Sequence, residues 1–383
     1  MDKYTGKDVG RAGNVLRDFN ENTSESEDDF KSAMKVLSYW RHSHETPLVE
    51  AMDLVRQSVS PICQRAVFAK RPKRIRSIIN KLQRFEKMSL RTMNDIGGCR
   101  VILANEKKLR KAIKAVKRHS KHFKLAQKIK FKDYIETPKE DGYRGYHLIG
   151  KFGENKNSER FIEIQFRTVV QHSWATAVEI VDIFTNQALK SNSGDENWAI
   201  YFQHASKLLA VIESSNSSGN HPPDALQKLY HDAISQNASL SAAHIGFHKL
   251  EKKLDVHRRF EAFAGSLKAM ENISELEGYD GNGYVLLTID THHHQISANV
   301  FDITNGIEAE RCYIEAELES RDDQGIVVAL VSAVALGGIK EAYPNYFADA
   351  TVFRHGLDLI LSVKVQGTFI SNTLNILSKA KLP

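Results

Sequence analysis

Long apolar runs are missing from this 383-residue chain, and no stretch approaches the roughly 20 residues that a membrane-spanning helix needs. The opening residues, MDKYTGKDVGRAGNVL, lack the charged-then-apolar order of a signal peptide, so a cytoplasmic setting with no membrane partner is expected. Cysteine is scarce. Cys63, Cys99 and Cys312 stand far apart without C-x-x-C spacing, which excludes a disulfide framework and a zinc knuckle and leaves buried thiols as the expectation. Internal repeats and extended low-complexity tracts are absent as well. What remains is an ordinary globular composition, 42% hydrophobic and 26% charged, in a chain long enough to bury roughly two or three cores.

Acids are nearly missing from one long stretch. Between Pro61 and Lys130 there are 22 Lys and Arg against only Glu86, Asp95 and Glu106, so this stretch carries +19 and the remainder −13 of the net +6. Such segregation points to a polyanionic ligand; a solvated basic helix face is the plainer alternative and accounts for only part of the stretch.

The hydrophobic pattern predicts helix from Asp28 to Arg56 with a break around SHETPL, where Pro47 disfavours helix for Thr46. RPKRIRSIINKLQRF reads as a helix opened by Pro72, and NDIGGCRVIL as a Gly-Gly turn feeding a β-branched strand. EKKLRKAIKAVKRHSKHF is amphipathic: Leu109, Ala112, Ile113 and Val116 form an inner stripe, while Lys108, Lys111, Lys114, Arg118 and Lys121 crowd the outer face. GYHLIGKFG and RFIEIQFRTV are two further strands, followed by helix from Trp174 to about Glu213. These alternations predict a mixed α/β (α+β) layer fold. A loop at Ser214–Asp224 and a helical connector to about Asn272 lead to a second α/β unit. There YVLLTID, QISANVFDI and ERCYIEAEL read as strands, then a helix near Gly325–Leu336, then YPNYF and a closing helical run. The expected domains are an N-terminal segment 1–26, a catalytic domain 27–213, a connector 214–275 and a C-terminal domain 276–383.

Chemistry can be placed on these elements. In FIEIQFRT the period of two sends Ile162, Ile164, Phe166 and Thr168 to one face and Phe161, Glu163, Gln165 and Arg167 to the other. A polar face on an exposed antiparallel sheet would look the same. Asp95 changes the balance, because it precedes a strand in a turn, and a carboxylate pair with triphosphate oxygens is a common way to hold Mg²⁺. Arg71, Lys73, Lys81 and Arg100 supply cations, the guanidinium planes suited to stacking on a base as well as to phosphate.

KRPKRIRSIINKL, DIGGCRVIL, DYIETPKEDGYRGYH and IEIQFRT, in this order, resemble the synthetase domain of the RelA/SpoT homologues over roughly Lys70 to Phe184. The resemblance implies a nucleotidyltransferase-like mixed sheet and a reaction that moves the β,γ-pyrophosphate of ATP onto a ribose 3′-hydroxyl. It implies that Arg71 and Arg100 sandwich adenine, that Lys73, Ser77 and Lys81 hold the ATP phosphates, and that Asp95 and Glu163 ligate Mg²⁺. Glu163 would also take the proton of the attacking hydroxyl. Tyr143 would stack on the acceptor base, with Lys139, Arg144, His147 and Gln165 beside the acceptor. A base offers a π-face to an aromatic ring, and such stacking is worth about 1 to 3 kcal/mol. Asp133 and Glu136 read as loop acids, and Tyr134 and Tyr146 as packing residues.

Two departures bear on the acceptor. DGYRG stands where these synthetases commonly have NGYQS, and QHSWATAVE resembles the version found in small synthetases of toxin–antitoxin type, some of which modify the 3′ end of tRNA. The expected acceptor is therefore tRNA, clamped through Lys108, Lys111, Lys114 and Arg118, with GDP or GTP and (p)ppGpp synthesis as the alternative and an inactive RNA-binding module behind both. AYPNYF resembles the Y-x-x-Y element of fused, CapRel-like phage-defence members. It implies that Tyr343 and Tyr346 cover the ATP site until a trigger, such as a phage protein, withdraws them; tyrosines packed into their own domain are the alternative. His231-Asp232 lacks the other metal ligands of an HD phosphohydrolase, and His292–His294 reads as an exposed loop.

Overall fold

The computed structural model describes residues 4–19, 27–70, 73, 75–125, 128–185, 195–216, 221–260, 262, 283–290, 295–320, 323, 326–332 and 346–364. Arg71, Pro72, Tyr343 and the His292–His294 run lie outside these residues. The chain is mixed α/β and divides into two compact units, Met1–Pro138 with Arg144–Thr168 and Lys139–Tyr143 with Val169–Pro383. Compactness therefore divides the chain at Thr168, where sequence placed a boundary at 213.

The first unit is built on a five-stranded mixed sheet of order β1-β2-β7-β6-β5. Its strands are β1 (Val67–Lys70), β2 (Gly97–Leu103), β5 (Phe131–Asp133), β6 (Tyr146–Phe152) and β7 (Arg160–Thr168). A short hairpin, β3 (Lys124–Leu125) and β4 (Lys128–Ile129), precedes β5. Strands β2 and β7 run parallel, and every other pairing in the large sheet is antiparallel. Helices α1 (Gly6–Asp18), α2 (Glu27–His42), α3 (Glu45–Val59), α4 (Ile75–Arg84) and α5 (Glu106–Lys117) complete the frame, with a single helical turn, α6, at Ser120–Phe123. The break between α2 and α3 falls at Ser43-His44; Pro47 sits in the first turn of α3 with Thr46 helical, where a missing N–H costs nothing.

Two apolar cores hold this unit. Leu48, Ala51, Met52 and Val55 of α3 and Leu109, Ala112, Ile113 and Val116 of α5 pack with Cys99, Val101, Leu148, Ile162, Ile164 and Phe166, as the stripe and the alternation predict. Val9 and Leu16 of α1, Leu37 of α2, Ile78 and Leu82 of α4 form the other, joined by Leu90, Met93 and Ile96. Helix α1 starts on a reciprocal cap between Thr5 and Asp8, and α5 on Asn105, whose side chain accepts from the Lys108 N–H.

The second unit opens with α7 (Val169–Thr185), α8 (Glu196–Ser215), α9 (Pro223–Ser235) and α10 (Ala238–Leu254). A three-stranded antiparallel sheet follows, order β10-β8-β9, from β8 (Tyr284–Asp290), β9 (Gln295–Phe301) and β10 (Ile326–Ser332). Helices α9 and α10 are not a bare connector: Tyr230, Ile234, Phe247 and Leu250 share one core with Trp174, Trp198, Phe202, Val285, Leu287, Phe353, Leu357 and Ile360.

Two sequence expectations fail here. ERCYIEAEL is helical, within Gly306–Glu319, because Ala, Glu and Leu favour helix and Arg311 pairs with Glu308 at 2.6 Å and Glu315 at 2.7 Å, one turn away on either side. The expected helix near Gly325 is strand β10, whose IVVALVS is β-branched and pairs with β8 over its full length. The closing helix spans Tyr346–Ser362, so Tyr346 opens a helix.

Candidate active site

Strand β7 lies between parallel β2 and antiparallel β6, and the register puts Arg100, Gln165 and His147 in one row across the sheet, with Lys132 of β5 beyond His147. Residues in such a row project to the same face. Glu163 stands two residues earlier on β7, opposite Gly98. This polar face is not a wet surface: Arg100 is 2% exposed, Arg167 5%, Gln165 6% and His147 9%. Buried polar groups in file are costly unless they are partnered, and His147 and Gln165 find their partner in Glu163.

The Glu163 carboxylate is held at both oxygens. His147 Nδ1 lies 2.9 Å from Oε1, and Gln165 Nε2 donates to Oε2 at 2.7 Å. An ionised carboxylate only accepts, so the His147 nitrogen facing it carries the proton. The ring of Tyr134 meets His147 edge-on, centroids 5.3 Å apart, which fixes the imidazole plane.

Asp95 sits in the turn before β2. Lys73 Nζ donates to Oδ2 at 3.0 Å and Lys81 Nζ to Oδ1 at 2.8 Å. Lys81 projects from α4; Lys73 lies in the segment ahead of it, pinned by its N–H to Ile96 O at 2.8 Å and by Arg41 Nε to its carbonyl at 2.8 Å. Burial pushes the Asp95 carboxyl up, but the Lys73 and Lys81 charges outweigh it and hold the group below its ordinary value, while the Glu163 charge pushes it back up. The two acids, remote in the chain, thus share one electrostatic neighbourhood.

The other expected residues are placed as follows. Ser77 is exposed on α4, and Arg100 is buried in β2. Arg144 Nη2 donates to Ile135 O at 2.9 Å. Lys111, Lys114 and Arg118 are exposed on and just beyond α5, with Lys108 half-buried. Asp133 pairs with Arg110 and accepts from the N–H groups of Ile135 and Glu136 at 3.1 and 3.2 Å, so it is a loop-organising acid. Tyr146 is buried, stacked on Phe131. Lys139 and Tyr143 belong to the second unit, the ammonium 4.8 Å from the centre of the half-buried ring. In the same segment Gly142 has φ +89 and an added Cβ would meet Gln203 Cα at 3.1 Å, so that position requires glycine. Sequence reasoning missed Arg41, which carries no local signal because it acts from α2.

Two carboxylates and two ammonium groups within one neighbourhood suit a triphosphate and an oxygen-liganded divalent cation. Among the described residues no group of three or more His, Cys, Asp and Glu stands together as a metal site. No helix among the described residues is long and apolar enough to cross a membrane.

Residues 70–181 match the family model described as the region found in RelA / SpoT proteins, and this part of the chain is a RelA/SpoT-type region. Among curated proteins, the GTP pyrophosphokinase YwaC of Bacillus subtilis is 34% identical over 114 residues, 28% of this chain and 52% of that protein. A GTP pyrophosphokinase of Photobacterium angustum is 25% identical over 207 residues, 54% of this chain and 27% of its own length. The chain thus spans about half of the first relative and about a quarter of the second. Among solved structures, the small alarmone synthetase 1 of Bacillus subtilis bound to its product pppGpp is 22% identical, with TM-score 0.39, over 47% of this chain and 96% of that one.

Proposed function

We propose that the chain is a cytoplasmic ATP-dependent pyrophosphokinase that transfers the β,γ-pyrophosphate of ATP to a ribose 3′-hydroxyl and releases AMP. The observation that carries it is geometric: the Lys73 and Lys81 ammonium groups lie 3.0 and 2.8 Å from the two Asp95 oxygens, and the Glu163 charge acts on the same carboxylate. Lys73 and Lys81 neutralise phosphate oxygens as point charges, Ser77 adds a hydroxyl donor, and Arg71 and Arg100 hold the adenine. Asp95 and Glu163 would hold Mg²⁺, which supplies charge stabilisation to the transferred group. Glu163, oriented by His147 and Gln165, accepts the proton of the attacking hydroxyl. An RNA-binding module without chemistry has no use for two half-buried acids.

For the acceptor we propose the 3′ end of tRNA, supported by the exposed cations Lys111, Lys114 and Arg118. A guanine nucleotide is favoured by a different observation. The DGYRG departures serve the loop itself: Asp141 Oδ1 accepts from the Tyr143 N–H at 2.8 Å, a turn an Asn would make equally well, and Arg144 staples Ile135. Base selection therefore does not fall with them, and the curated relatives carry the name GTP pyrophosphokinase.

We also propose that Tyr343 and Tyr346 restrain the ATP site, in a fused toxin–antitoxin arrangement released by a phage protein. Incubating the chain with [γ-³²P]ATP and, separately, tRNA, GDP and GTP tests the first proposal: label is expected on tRNA and absent with Asp95→Asn. Label on GDP or GTP alone selects the guanine-nucleotide acceptor, and label on none of the three, even with Tyr343→Ala/Tyr346→Ala, refutes the enzyme. A double tyrosine variant no faster than the parent refutes the restraint.

A further inference from the structure

Both oxygens of Asp95 already carry an ammonium, from Lys73 at 3.0 Å and from Lys81 at 2.8 Å. The Asp95 side chain is 17% exposed and the lysines 18% and 29%, so water screens these pairs weakly. A divalent cation placed on those oxygens would lie roughly 4 Å from two fixed positive charges, a separation at which repulsion stays large at a protein's effective dielectric. Glu163 brings a second negative charge, and two acids against two lysines leave no net field to attract a free cation. A triphosphate changes this balance, because its oxygens offer the lysines a denser negative partner than one carboxylate.

We propose that in the nucleotide-free protein Lys73 and Lys81 lock Asp95 against divalent cations, and that the donor triphosphate opens the metal site by drawing both ammonium groups onto itself. The inference rests on the pyrophosphokinase proposal, which makes Asp95 and Glu163 the metal ligands. Only side chains have to move. The Lys73 backbone is pinned by Ile96 and Arg41, and Lys81 stands on α4, so each ammonium swings on its four-carbon stem while its anchor stays in place. In the free protein the same lysines keep a half-buried carboxylate partnered, which removes the cost of an uncompensated charge. Metal and nucleotide then raise each other's affinity by the same factor, as linkage requires.

The test is titration of the full-length chain with Mn²⁺, free Mn²⁺ being read by electron paramagnetic resonance. It is run without nucleotide and with α,β-methylene-ATP, whose own Mn²⁺ binding is measured separately and subtracted. The nucleotide-free wild type is expected to bind Mn²⁺ at least about tenfold more weakly than Lys73→Met/Lys81→Met, a difference of about 1.4 kcal/mol. Adding Asp95→Asn to the double variant is expected to abolish that gain. Methionine keeps the length and apolar stem of lysine, and Lys81→Gln alone, which leaves the pinned Lys73 segment untouched, is expected to shift affinity in the same direction. Equal Mn²⁺ affinity in the nucleotide-free wild type and in the lysine variants overturns the lock. A gain that survives Asp95→Asn instead overturns the assignment of Asp95 as a ligand, so the two failures are distinguishable.

Discussion

Phe353 decides whether the C-terminal helix is a detachable lid or part of a core. It is fully buried, with its ring centre 6.1 Å from Phe202 of α8 at 24° and 5.1 Å from Phe260 at 70°. Truncating a buried Phe to Ala removes its transfer free energy and leaves a cavity, together about 3 to 5 kcal/mol. Two aromatic contacts place Phe353→Ala in the upper half of that range, about 4 kcal/mol. For a unit of this size each kcal/mol moves Tm by about 2 to 4 °C, so the expected loss is about 8 to 16 °C. Tryptophan fluorescence reads it cleanly in a Trp40→Phe background, because Trp174 and Trp198 both lie in the affected core whereas Trp40 packs in α2 of the first unit. Phe353→Leu, which refills most of the volume, is expected to cost about 1 kcal/mol. A drop below about 2 °C for Phe353→Ala would refute the shared core. If the core is shared, deleting everything after Tyr284 strips Phe353, Leu357 and Ile360 from Phe202 and Phe247, and the behaviour of such a fragment reports unfolding rather than release of inhibition. Point substitutions at Tyr343 and Tyr346 avoid that confusion.

Three further outcomes are expected. Glu163→Gln keeps the size of the side chain and its contact with Gln165 but loses the base, so kcat should fall by about 10² to 10⁴ with Tm little changed; retention of full activity would remove Glu163 from the chemistry. Replacing Lys111, Lys114 and Arg118 together by Ala should weaken transfer to tRNA and flatten its salt dependence by about two to three units of log–log slope, while any transfer to GDP stays unchanged; an equal loss with both acceptors would deny the helix a role in RNA binding. His244 is buried between the Tyr230 hydroxyl and Val363 O, 3.0 Å from each, and burial, with the neighbouring His248 charge, pushes its pKa down to about 4 from 6.5. The unfolded chain therefore takes up this proton first, so the contribution is complete above about 6.5 and lost as pH falls towards about 4. Urea midpoints against pH should fall more shallowly over that window for His244→Gln, and identical slopes would contradict it.

The polar face of β7 was legible because a strand's period of two is a local property: Glu163, Gln165 and Arg167 had to share a side once FIEIQFRT was extended. What the chain did not announce is register. Nothing in DIGGCRVIL says that Arg100 will lie beside Gln165, or that His147 will lie on its other side, because pairing of β2, β7 and β6 is decided by how the apolar faces of α3 and α5 fit the sheet. The same limit explains the C-terminal errors: CYIEAEL alternates as a strand does, yet its Ala, Glu and Leu suit a helix, and IVVALVS could have been either until β8 offered it a partner. Asp95 shows where local and tertiary information meet. Its place in a turn ahead of a strand was readable, and Lys73 and Lys81 were readable as cations. Their convergence on one carboxylate follows from α4 starting at Ile75, which leaves Lys73 ahead of the helix and carries Lys81 about two turns along, with Ile78 and Leu82 buried to fix the helix's rotation. A change that rotated α4 by burying a different face would keep every motif intact and still separate Lys81 from Asp95, so the integrity of this site is a property of the apolar stripe of α4 as much as of its charged residues.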